Sequence, residues 1–134
     1  EIEKLVGLPV REIFKKYGES FFRKQESETL RIISDTHTNF IMATGGGAPV
    51  FHDSMMFMNT AGQTVFLDVP TREITNRITS SNKEERPLLA SLAPDELKDK
   101  IEFLRSQRIP FYSQAQTTLT GIVQLPDLIA AIKS

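Results

Sequence analysis

Thr64-Val65-Phe66-Leu67-Asp68-Val69, running straight into Pro70-Thr71, decides the fold. A short apolar run bounded by a proline reads as a strand buried within a sheet. Proline suits a first helical turn, where its missing amide hydrogen has no partner to lose, so Pro70-Thr71 opens a helix reaching Arg77 or Ile78. Beyond it, residues 80–93 begin polar and charged, contain Pro87 and stop at Pro94, which predicts a mobile loop. Pro94-Asp95-Glu96 places acidic groups at the positive end of a new helix, extending to about Gln107. Pro110 disfavours helix at Ile109 and is expected to break it. Thr117–Thr120 reads as a short strand and Pro126–Lys133 as a closing helix.

In the other direction, Met55–Thr60 reads as helical. Phe40–Thr44 is apolar, ends at three glycines and is expected to be a buried strand. Glu19–Ser34 predicts a long helix and Gly18 stops the one before it, Pro9–Tyr17. Ile2 and Leu5 suggest a short helix ended by Gly7. Strands alternating with helices predict an α/β fold, a parallel sheet flanked by helices.

The 134 residues suit one domain, 1–134. With 40% hydrophobic and 25% charged residues the composition is that of a globular protein. No apolar run reaches the ~20 residues that span a bilayer, and no signal-peptide stretch opens the chain. A cytoplasmic location and no membrane partner are therefore expected. The net charge of −1 argues against a broad nucleic-acid surface while leaving room for a local anion site. The chain has no cysteine, which excludes disulfides, thiolate catalysis and cysteine–zinc sites.

Four features carry possible chemistry. Gly45-Gly46-Gly47 follows Thr44 where a strand is expected to end, the edge at which α/β sheets bind ligands. Three glycines let backbone amides approach a ligand, or they form a flexible turn. Phe22, Glu26, Leu30 and Ile33 share a helical stripe, so Glu26 interrupts an apolar face. Its carboxylate needs a partner there, which Arg23 one turn away can supply; a solvated pair at the stripe's edge is the other reading. Arg108 continues the stripe Leu97, Ile101, Leu104, which turns a guanidinium inward toward either a bidentate anion or an internal salt bridge. Arg86, in Arg86-Pro87-Leu88-Leu89 with Lys83 nearby, can close over phosphates from a loop or remain solvated. Asp68 resembles a magnesium-holding strand aspartate, yet Pro70-Thr71 makes helix initiation the better reading. His37 and His52 lack metal-ligand spacing and are expected at the surface.

In order and spacing, Ile2-Glu3, Gly18-Glu19, Phe22-Arg23-Lys24-Gln25-Glu26, Ala43-Thr44-Gly45-Gly46-Gly47-Ala48, Phe66-Leu67-Asp68-Val69, Arg86-Pro87-Leu88-Leu89 and Arg108-Ile109-Pro110-Phe111-Tyr112 resemble the shikimate kinase family. The resemblance implies a P-loop kinase fold like that of nucleoside monophosphate kinases. It also implies transfer of the γ-phosphate of ATP, with Mg2+, to the 3-hydroxyl of shikimate, on the path to aromatic amino acids, by a monomer. By position, Arg23 and Arg108 would clamp the shikimate carboxylate and Glu26 would orient Arg23 and the substrate. Gly45, Gly46 and Gly47 would bind the substrate, the last two by their amides. Arg86 would act from a lid over residues 80–93 and neutralise phosphate charge, and Arg77 and Pro126 would flank the adenine. The family's phosphate loop, G-x-x-x-x-G-K-[ST], and a pair of aspartates are not in this sequence. The expectation is a kinase domain incomplete at its N-terminus, lacking a first strand and that loop, unable to turn over ATP alone and exposing apolar sheet edge. A gluconate-kinase-like enzyme and a non-catalytic shikimate-binding fragment are the alternatives.

Overall fold

A computed structural model describes residues 1–81, 86, 88, 89 and 91–133. Helix α1 (Ile2–Val6) ends at Gly7, whose φ of 79° is the left-handed conformation that lacks a steric penalty only without a Cβ. Helix α2 (Val10–Thr36) begins after Pro9 and holds Gly18 at φ 82°, ψ 173°, outside the helical region. The two expected helices are therefore both present, joined end to end at that glycine. Phe14 and Phe22 close across the joint with ring centroids 4.6 Å apart. The second half buries Phe22, Arg23, Ser27, Thr29 and Leu30.

The chain then passes through the glycines into a single 3-10 turn, Ala48–Val50, and helix α3 (Ser54–Ala61). Strand β1 (Val65–Asp68) leads to helix α4 (Thr71–Ser80), helix α5 (Pro94–Tyr112), strand β2 (Thr117–Thr120) and helix α6 (Leu125–Lys133). The strands pair in parallel, Val65 opposite Thr117 and Asp68 opposite Thr120. Parallel neighbours require a crossover, here α4 and α5. These helices share a core of Ile78, Leu89, Leu97 and Ile101, with Ile74, Leu92 and Leu104 packed against it. The architecture is the expected parallel sheet flanked by helices. No helix among the described residues is long and apolar enough to cross a membrane.

Three local expectations need correction. Phe40–Thr44 is not a buried strand: it forms no ladder, and Phe40 and Ile41 are 42% and 81% exposed. An apolar pattern makes a strand only where a second backbone supplies hydrogen bonds. Among the described residues β1 and β2 pair with each other alone. Pro110 does not break α5, which runs through it to Tyr112. The missing amide falls in the last turns, where the Ser113 amide still closes on the Ile109 carbonyl and Gln114 Nε2 donates to the Pro110 carbonyl. Asp68 does not start α4, whose N-cap is Pro70 without a side-chain cap. Its carboxylate pairs with Arg105 of α5 at 2.7 Å, and its carbonyl accepts the Gly121 amide beyond β2. Of the loop expected over residues 80–93, Lys83 and Pro87 lie outside the described residues. In its second half Leu89 is buried in the α4–α5 core. His37 and His52 are exposed, as expected.

Candidate functional site

The glycine turn is closed by the Ala48 amide donating to the Gly45 carbonyl and the Val50 amide to the Gly47 carbonyl. Four side chains press on it, Glu26, Arg108, Tyr112 and Arg23. A Cβ on Gly45 would stand 3.2 Å from Glu26 Oε2, and one on Gly46 2.8 Å from Arg108 Nη1. One on Gly47 would collide with the Arg23 guanidinium. Gly47 has φ −87°, ψ −20°, which any residue adopts. Here glycine supplies space rather than conformational freedom: two guanidinium groups, 85 positions apart in sequence, lie against consecutive residues of one turn. Gly47→Ala is therefore expected to cost about 1–3 kcal/mol of stability by overpacking. Gly62→Ala, where no described residue lies within 4 Å, should stay within about 0.5 kcal/mol. Urea denaturation of the two variants checks this, and equal midpoints would contradict it.

Arg23 is 6% exposed. Its Nη1 donates to Glu26 Oε1 at 2.9 Å, while Nε and Nη2 donate to Glu19 Oε1 at 3.3 and 3.2 Å. The rings of Phe22 and Phe51 lie 5.3 and 5.0 Å from the guanidinium carbon, within cation–π range. Arg108, half-buried on the inner stripe of α5, has no hydrogen bond or ion pair to any described residue. It opens on a cleft of about 250 Å³ that Glu19, Phe51, Leu88 and Lys100 also line. Four residues beyond it on the same helical face, Tyr112 donates its hydroxyl to the Gly46 carbonyl at 2.5 Å and sets its ring, tilted by 45°, 5.1 Å from Phe66. Because the peptide unit is planar and trans, a fixed Gly46 carbonyl also fixes the Gly47 amide, pointing the opposite way.

Glu26 is the electrostatic centre of this group. Burial pushes its carboxyl above the ordinary 4.5, while the hydrogen bond from Arg23 and the charges of Arg23 and Arg108 pull it down without prevailing. A carboxyl raised in the folded state binds protons more tightly there than in the unfolded chain. Its stabilising contribution is thus fully present below the unfolded value and is lost as pH rises through the folded one. Glu26→Gln should remove that decline, so wild type and variant should diverge in urea midpoint as pH climbs from 4.5. Parallel pH profiles would refute it.

The structure thus brings together Arg23, Glu26, Gly45, Gly46, Gly47 and Arg108. It leaves three sequence candidates apart, with no hydrogen bond or ion pair to this cluster among the described residues. Arg77 is exposed at the end of α4 and pairs with Glu73 at 2.7 Å. Pro126 is exposed in the first turn of α6. Arg86 is exposed, its carbonyl accepting the Leu89 amide. Sequence reasoning gave no role to Tyr112, Glu19 or Phe51. Tyr112 was legible, four residues beyond Arg108 on one face, and Glu19 is likewise four residues before Arg23. Nothing in the pattern marked Phe51, which the 3-10 turn delivers. Among the described residues no group of three His, Cys, Asp or Glu could hold a metal ion.

A family model described as shikimate kinase matches residues 1–131. The shikimate kinase of Bacteroides thetaiotaomicron is 41% identical over 115 residues, which are 86% of this chain and 65% of that protein. The shikimate kinase of Aquifex aeolicus is 37% identical over 121 residues, 90% of this chain and 67% of that one. Among solved structures, shikimate kinase from Bacteroides thetaiotaomicron superposes with a TM-score of 0.84 at 35% identity, over 98% of this chain and 75% of that one. Shikimate kinase from Acinetobacter baumannii, in complex with shikimate, superposes with a TM-score of 0.82 at 28% identity, over 97% and 70%. The chain spans just under two thirds of the length of the Bacteroides relative.

Proposed function

The chain belongs to the shikimate kinase family, and from that premise we propose that it carries the acid-binding side of a kinase that moves the γ-phosphate of ATP to the 3-hydroxyl of shikimate. The observation that carries this reading is Arg108. Among the described residues it has no hydrogen-bonded partner, and a half-buried guanidinium facing a cleft beside a second buried arginine suits an anionic ligand. A carboxylate on a small hydroxylated ring supplies that anion and leaves the hydroxyls beside the glycine turn.

Phosphoryl transfer draws most of its acceleration from positioning and electrostatics. Arg108 and Arg23 would fix the acid end of the substrate, and Glu26 would hold Arg23 in its plane. The Gly46 and Gly47 amides, the latter oriented through Tyr112, would meet the substrate hydroxyls or the transferred phosphate. Arg86 would neutralise phosphate charge from the lid, and Arg77 and Pro126 would flank the adenine. ATP chemistry of this class uses magnesium. The described residues form no metal-ligand group, and Asp68 is engaged by Arg105. The enzyme would act as a monomer in the cytoplasm, without nucleic-acid or membrane partners.

The test is a coupled ADP-release assay of the full-length protein against a panel of hydroxy acids. Shikimate-dependent ADP release is expected. Preference for gluconate would overturn the substrate, and shikimate binding without ADP release would reduce the protein to a binding module.

A further inference from the structure

Arg23 cannot meet a ligand as it stands. Phe22, Phe51 and Gly47 lie against its guanidinium, one edge is held by Glu26, and the other is held by Glu19. Its side chain is only 7% exposed. The two carboxylates are not equivalent. Glu26 is 11% exposed, lies against Gly45 and accepts a short 2.9 Å bond. Glu19 is 44% exposed, lines the cleft that holds Arg108, and spans Nε and Nη2 with a single oxygen at 3.3 and 3.2 Å. Charge-assisted bonds of full strength are about 2.7–2.9 Å, so Glu19 is the loosely held partner, and it stands on the side from which a ligand arrives.

We propose that Glu19 is an internal carboxylate that occupies the cleft-facing edge of Arg23 and is exchanged for the carboxylate of the incoming acid. This deepens the function proposed above and rests on it. The exchange conserves charge at Arg23: one carboxylate leaves as another enters, and the buried guanidinium is never left with one edge bare. An uncharged analogue has no carboxylate to offer, so Glu19 keeps its place and the analogue meets a closed edge. Only an acid can therefore exchange with Glu19, and that exchange offsets part of the affinity which Arg108 and Arg23 would otherwise give it. The local fold makes release inexpensive. Gly18 interrupts α2, so Glu19 is the first residue of the helical segment after the break. Its charge there remains favoured by the amides of that first turn once Arg23 is surrendered.

The experiment is calorimetric titration of the full-length protein, wild type, Glu19→Gln and Glu19→Ala, with shikimate and with its uncharged methyl ester. Both variants should bind shikimate about two- to five-fold more tightly, the worth of one half-exposed ion pair that no longer competes, and bind the ester as wild type does. Thermal melts establish that both variants are folded. Shikimate affinity that is unchanged or weaker in both variants overturns the exchange and makes Glu19 a residue that only positions Arg23. Failure of the wild type to bind shikimate overturns the functional reading itself, and this inference with it.

Discussion

Arg108→Ala should weaken shikimate binding by about 2–5 kcal/mol, the usual cost of truncating one side of a desolvated charge pair, while leaving stability within about 0.5 kcal/mol. The asymmetry follows from the partners. In the free protein Arg108 makes no ion pair among the described residues, so its removal strands no buried carboxylate. In the complex the same guanidinium would meet the substrate carboxylate in a half-buried cleft, where water screens little. Calorimetry and urea denaturation on one preparation measure both quantities. A binding loss below about 0.5 kcal/mol, or a stability loss as large as the binding loss, would place Arg108 in the scaffold instead of the site.

Arg23→Ala should behave in the opposite way and cost about 3–5 kcal/mol of stability, because it leaves an acid buried without its cation. Glu26, with 11% of its side chain exposed, loses the 2.9 Å bond that offsets its desolvation. The cation–π contacts of Phe22 and Phe51 go as well. Adding Glu26→Gln should return part of the loss, since an amide tolerates burial better than an unpaired carboxylate. Denaturation of the single and double variants decides the matter. A single-variant loss under about 1 kcal/mol, the ceiling for exposed pairs, would mean that the pair is effectively solvated.

Much of this was legible in the chain because helical periodicity survives without tertiary information. Phe22, Glu26 and Leu30 on one stripe set Glu26 inside with Arg23 at hand, and Leu97, Ile101, Leu104 and Arg108 turned the second arginine inward. Gly7 and Gly18 marked helix ends because a positive φ favours glycine over every other residue. What periodicity cannot carry is the identity of a partner. Phe40–Thr44 had the right apolarity for a strand and no described strand to pair with. Asp68 had an attractive local reading as a helix starter, overridden by Arg105, which lies 37 positions away in sequence. Pro110 removed one hydrogen bond, as its chemistry requires, yet it sits where the last turn can bear the loss. The glycine turn was read for its backbone, and its tight contacts with Arg23, Glu26 and Arg108 emerge only when α2 and α5 are brought to it.

A crystal structure of the full-length protein with shikimate bound tests the two-arginine grip directly. A carboxylate oxygen is expected at hydrogen-bond distance, roughly 2.7–3.2 Å, from the guanidinium groups of both Arg108 and Arg23, with the ring lying against Gly46 and Gly47. A carboxylate turned to solvent, or held by residues away from the glycine turn, would contradict it.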